Sequence, residues 1–178
     1  MKRKTEMHIT VLLDMIVLTT IIIVTSASAS LDLDNSSPVY RMWSLSQGDH
    51  FYTTNYDESK SAVKLGYKEE GILGYLHNNS PQAGTIPIYR MVSLSQGDHF
   101  YTTNYDESKS AVKLGYKEEG ILGYLYNNSP QAGTIPIYRM WSLSQGDHFY
   151  TTNYDESKSA MKLGYKEEGI LGYCAASP

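Results

Sequence analysis

The tripeptide Tyr40-Arg41-Met42 returns as Tyr89-Arg90-Met91 and again as Tyr138-Arg139-Met140, a strict period of 49 residues. Residues 40–88 and 89–137 differ only at Trp43/Val92 and His77/Tyr126. A period of this length repeats one supersecondary unit, and such a unit buries its apolar face only against its neighbours. Near identity between copies reports duplication, so it singles out no functional residue. The few differences show what the architecture tolerates.

Each unit divides into four parts. Residues 39–44 are predicted as a short strand, with Tyr40 and Met42 on one face and Arg41 and Trp43 on the other. Residues 45–49 read as a turn in which Gly48 supplies the φ freedom that tight turns require. Residues 50–54 return as an aromatic and β-branched strand, completing a hairpin. Asn55, with Glu58 three residues on, has the form of a capping box for a helix running from Tyr56 to about Leu65 and stopped by Gly66. A third strand is expected over residues 67–76, where Gly71 and Gly74 mark a bulge or a close backbone approach. Residues 78–87 and 127–136 read as polar, Pro- and Gly-containing linkers.

An open stack of such units needs terminal repeats with a polar outer face. Here the end units are almost the same as the middle one, and the third stops at Tyr173-Cys174 without its linker. Identical head-to-tail interfaces are satisfied without caps when the array closes. The predicted fold is therefore mostly β with short helices (α+β): three tandem ββαβ repeats closed into a pseudo-threefold ring. The alternative is a β-trefoil, with repeats of similar length but four strands per unit and no capped helix.

Met1-Lys2-Arg3-Lys4, an apolar run over 9–24 and the Ala27-Ser28-Ala29 site predict a signal peptide over residues 1–29. The expected location is secreted and extracellular, with an uncleaved N-terminal tether as the alternative. A spacer over 30–38 then leads to one three-repeat domain, 39–178, whose units are 40–88, 89–137 and 138–178. Cleavage after Ala29 leaves 149 of the 178 residues, enough to bury a core. The formal charge moves from −4 to −5, which gives no basic stripe for nucleic acid or for an anionic membrane. The single cysteine, Cys174, is expected to be a buried thiol, with an intermolecular bond as the alternative. Asn35, Asn78 and Asn127 open glycosylation sequons.

The run Val39-Tyr40-Arg41, Gly48-Asp49-His50-Phe51-Tyr52-Thr53-Thr54, Glu58, Gly66-Tyr67, Glu70-Gly71 and Gly74-Tyr75 resembles the secreted GDHFYTT tandem-repeat family, a domain of unknown function of the DUF5648 type. The match covers residues 39–173 and recurs three times. The resemblance implies a secreted pseudo-threefold domain with a ligand-binding or lectin-like role. It carries over no catalytic residue, and the expectation is a module acting without an attached hydrolase.

All 16 tyrosines lie in the repeats, and rigid rings with a polar tip suit both sugar stacking and interface packing. Tyr40, Phe51 and Tyr75 are assigned to the core. The candidate ligand-binding residues lie on the other strand face and at the hairpin: Arg41, Trp43, Asp49 and His50. Their counterparts are Arg90, Asp98 and His99, then Arg139, Trp141, Asp147 and His148. Val92 stands where Trp43 and Trp141 do, which fits a surface platform better than a packed core. Three equivalent histidines could converge on a metal, but a structural hydrogen bond to a turn aspartate is the expected role, so no metal or other cofactor is assigned. Glu69-Glu70 reads as a solvated pair, since adjacent strand residues face opposite ways, and no nucleophile elbow accompanies the serines. The function expected is a non-catalytic, carbohydrate-binding module with up to three sites and a glycan or other extracellular ligand as partner. A structural or protein-interaction domain is the alternative, and a hydrolase comes last.

Overall fold

A computed structural model describes residues 35–78, 83–127 and 130–178. The predicted signal peptide, most of the spacer and parts of both linkers lie outside the described residues. The first unit consists of β1 (Ser36–Ser44), β2 (Asp49–Thr53), α1 (Tyr56–Lys64) and β3 (Lys68–His77). The second consists of β4 (Thr85–Ser93), β5 (Asp98–Thr102), α2 (Tyr105–Lys113) and β6 (Lys117–Tyr126). The third consists of β7 (Thr134–Ser142), β8 (Asp147–Thr151), α3 (Tyr154–Lys162) and β9 (Lys166–Ala175). These are the ββαβ units expected, and the helix in each sets aside the trefoil.

Within a unit the hairpin β1–β2 is antiparallel, and β3 returns antiparallel along the other edge of β1. The first strand begins earlier than predicted, at Ser36, and β4 and β7 begin at Thr85 and Thr134. The apparent linkers are therefore shorter, because the ten-residue third strand offers partners as far as Ser36↔His77. Pro38 is tolerated beside a register shift between Pro38 and Tyr40. A second shift falls between Arg41 and Met42, opposite Gly71, whose φ of +114° only glycine adopts without strain.

The helix cap is more elaborate than a capping box. The Asn55 side chain accepts the N–H groups of Asp57 and Glu58. Glu58 does not return to the Asn55 N–H. That group donates to the Thr53 hydroxyl, which in turn donates to Glu58. One carboxylate oxygen holds the cap from outside, and the group as a whole still faces the next unit.

Closure follows from the unpaired edge of each hairpin. The N–H groups of His50 and Tyr52 point off β2 toward the pseudo-threefold axis, where an open edge would leave them without partners. His50 N–H donates to Asp147 of the third unit and Tyr52 N–H to the Tyr101 hydroxyl of the second. Tyr101 also donates to the Tyr52 carbonyl, and the same pair of bonds runs from Tyr150 to Tyr101 and from Tyr52 to Tyr150. Each unit thus needs both of its neighbours. The three rings meet edge to face at 5.4 Å, fully buried, and burial lifts their hydroxyls well above the ordinary phenol value.

Farther along the axis β3, β6 and β9 touch pairwise, and Leu76, Leu125 and Cys174 fill equivalent places in one apolar cluster. Gly74 and Gly123 allow the approach. A Cβ on Gly123 would come within 2.9 Å of the Leu76 Cβ, and one on Gly74 within 2.4 Å of the Cys174 sulfur. Cys174 is a buried free thiol, pushed up to about 11 by burial.

Candidate functional site

At two of the junctions between units a cleft opens beside the hairpin turn. Between the third and first units it measures about 290 Å³, lined by Trp43, His50 and Glu70 on one side and by Phe149, Leu163 and Tyr165 on the other. Between the first and second it measures about 350 Å³, with Val92 and His99 facing Phe51, Leu65 and Tyr67. These volumes fall at the small end of ligand pockets. Each cleft exists only where two units meet, because its two walls come from different units.

The wall residues form a stack. The His50 ring lies 4.3 Å from Trp43 and 4.8 Å from Phe149, and His148 sits in the same way between Trp141 and Phe100. His99 has Phe51 at 4.8 Å on one side but only Val92 on the other. Its side chain is 16% exposed, against 11% for His50 and His148. The tryptophans are half-buried wall residues, and Val92 is itself buried beneath the wider cleft.

Arg41, Arg90 and Arg139 tie the clefts together. Arg41 grips Glu156 of the third unit through two bonds of 2.8 and 3.0 Å, reaches Glu70 with its Nε and lies over the Phe149 ring. Arg90 holds Glu58, and Arg139 holds Glu107, in the same bidentate manner. Burial works to raise the Glu58, Glu107 and Glu156 carboxyls, but the arginine fork and the threonine hydroxyl outweigh it and leave all three below the usual carboxylate value. Glu58 and Glu70, read from sequence as a cap residue and a solvated charge, are thus parts of the inter-unit lattice.

Asp49, Asp98 and Asp147 are fully buried on the axis, with acceptor atoms within 4.8 Å of one another. Such a trio could share a cation, but each carboxylate is already held by donors. Asp49 accepts the His99 N–H at 2.8 Å, lies 2.6 Å from the His99 Nδ1 and accepts the Tyr67 hydroxyl at 2.6 Å. Burial and that carboxylate together raise the Tyr67 hydroxyl far above its ordinary value. The histidines do not converge on a common point. Each bonds an aspartate as expected, but the partner belongs to the neighbouring unit rather than to the adjacent position in sequence. Of the residues singled out from sequence, Trp43, His50 and His99 line clefts, Trp141 and His148 form the equivalent stack, the arginines brace the junctions and the aspartates lie beneath. The missed residues are Phe51, Leu65 and Tyr67, and Phe149, Leu163 and Tyr165, which complete the two clefts from the unit before.

A closed ring of three ββαβ units, with clefts of about 290 and 350 Å³ at two of its junctions, is a tandem-repeat domain. The model of the family described as Domain of unknown function (DUF5648) matches residues 26–175, and the chain belongs to that family. No curated protein and no solved structure matches the chain.

Proposed function

We propose that the protein is a secreted, non-catalytic binding module that takes carbohydrate in the clefts between its repeats. The observation that supports this reading is the wall of the cleft between the third and first units: a half-buried indole backed by an imidazole, facing a phenylalanine and a tyrosine, with glutamate and glutamine at the edge. Flat rings suit the apolar faces of sugars, and nearby carboxylate and amide groups suit their hydroxyls. The Glu156 carboxylate at this cleft is braced by Arg41, which holds it below the usual carboxylate value and makes it a charged acceptor and a poor proton donor. That pairing favours binding over hydrolysis. The N-terminal basic, apolar and small-residue segments support export.

A glycan array followed by calorimetry on the retained sugar tests the reading. Replacing Trp43 and Trp141 with valine together is expected to abolish retention while leaving the melting temperature near that of the parent. Retention unchanged in that variant, or no sugar retained by the parent, would sink the proposal.

A further inference from the structure

The hairpin turns, the C-terminal ends of the helices and the first residues of the third strands all lie at one end of the ring. A Cβ on Gly97 would stand 3.6 Å from the Gln47 carbonyl, so neighbouring turns abut at the axis. Leu65 closes α1 and Leu94 opens the second turn, and both line the same cleft. Lys68 pairs in register with Trp43, next to the turn.

This end is apolar at its tips. Leu45, Leu94 and Leu143, one on each turn, are between 77% and 84% exposed, and Leu65, Leu114 and Leu163 between 71% and 75%. Polar Ser46 and Gln47 follow Leu45, so each tip offers one projecting leucine rather than a broad patch. Around the tips stand exposed lysines, Lys64 and Lys68 with their counterparts in the other units. Among the described residues none of these six lysines enters an ion pair. Glu69 is engaged by Lys60, Glu70 by Arg41, and Asp57 sits at the far end of its helix. The acidic total of the chain therefore conceals one end whose unpaired charge is positive.

We propose that this end docks on an anionic lipid bilayer, with the three turn leucines entering between headgroups and the lysines resting on the phosphate layer. Single leucines on three separate tips reach the acyl boundary while the serines and glutamines stay at headgroup level. Basic side chains beside an apolar insert are drawn to anionic lipid. A second copy of the chain is a poor occupant, because two such ends face to face would set six lysines against six. The sequons fit as well. Asn78 N–H donates to the Asn35 carbonyl at the opposite end of β1, about 26 Å away at about 3.3 Å per residue, so glycans there would point away from the bilayer.

Vesicle co-sedimentation tests this with the chain from Ser30 onward, which holds every residue of the described fold. Vesicles of phosphatidylcholine with a minority of phosphatidylserine should retain the protein, and phosphatidylcholine alone should retain it far less. Two triple variants, Leu45→Ser/Leu94→Ser/Leu143→Ser and Lys64→Glu/Lys113→Glu/Lys162→Glu, are each expected to weaken retention by about tenfold or more, as is high salt. All these positions are exposed, so both variants should melt like the parent. The lysine variant changes no residue lining either described cleft and should keep any glycan binding, and the Trp43→Val/Trp141→Val protein should keep its vesicle binding, which separates this proposal from the cleft reading. Equal retention on both vesicles, no retention on either, or retention unchanged in both variants would overturn it. So would a dimer in light scattering that the leucine variant dissociates, because the tips would then belong to self-association.

Discussion

At the axis, equivalent residues of the three units face one another; at the clefts, each unit faces a different part of its neighbour. The consequence shows in the substitutions. Each axial tyrosine, aspartate and histidine satisfies a backbone or side-chain group of a neighbouring unit, so a change at one position leaves a partner in another unit unsatisfied. The cleft wall changes from Trp43 to Val92 and back to Trp141 with no effect on closure, because each cleft is completed locally. Cys174 marks the limit of the contrast. It lies near the axis in place of leucine, but in an apolar layer where contact rather than a hydrogen bond is required. A hydrogen-bonded ring couples its positions across units, whereas the wall position 43/92/141 changes without disturbing any such ring.

Removing one unit tests the contrast at its largest. A two-unit chain would leave the outward N–H groups of a hairpin without partners at both broken junctions, so it is expected to lose its cooperative melt altogether. A two-unit chain melting near the parent would show that the axis does not require all three. A smaller break is Tyr101→Phe, which removes the one hydroxyl serving both the N–H and the carbonyl of Tyr52. Two buried backbone groups left without partners cost about 2–4 kcal/mol, a fall in melting temperature on the order of 10 °C. Tyr105→Phe, on a ring 54% exposed, should melt like the parent and serves as the control. Equal effects of the two would mean that the axial hydroxyls contribute no more than a surface phenol.

The pH dependence separates the two regions again. Glu58, Glu107 and Glu156 titrate lower in the folded protein, so the stability from their arginine pairs is present above the ordinary carboxyl value of 4.5 and is lost as pH falls through the folded values. Tyr52, Tyr101 and Tyr150 titrate higher when folded. Their contribution is complete below 10.0 and is lost as pH rises from there toward the folded values. The half-exposed pairs should give a shallow acid limb and the buried tyrosines a steep alkaline one, read as melting temperature against pH. A flat alkaline limb would contradict the burial of neutral phenols at the axis.

The smallest stability change is expected at the cleft wall. Trp43→Val should cost about 1 kcal/mol through lost stacking on His50, because the first cleft already accommodates valine. Its effect should fall on ligand stoichiometry, removing one site, while Val92→Trp adds one. A Trp43→Val protein that fails to fold would move the tryptophan from cleft to core.

The 49-residue period, the hairpin turn, the Asn55 cap and the role of the paired glycines were legible in the sequence, because each rests on neighbours in the chain or on a backbone preference that one residue type satisfies. The near identity of the end units already implied closure, since an uncapped stack would expose an interface. The partners across that interface were not legible. Nothing local distinguishes a carboxylate that completes a cap from one that also grips an arginine 32 residues on, as Glu58 does with Arg90. Nor does alternation along a strand tell Tyr52, at the centre of the molecule, from Tyr40 on its flank. His50 has an aspartate beside it in sequence and bonds instead to one 97 residues away. The sequence by itself determined the unit and its repetition, through short-range propensity and periodicity. Only the tertiary structure decided which side chains serve the axis and which face the clefts, because those choices depend on the angle at which one unit meets the next.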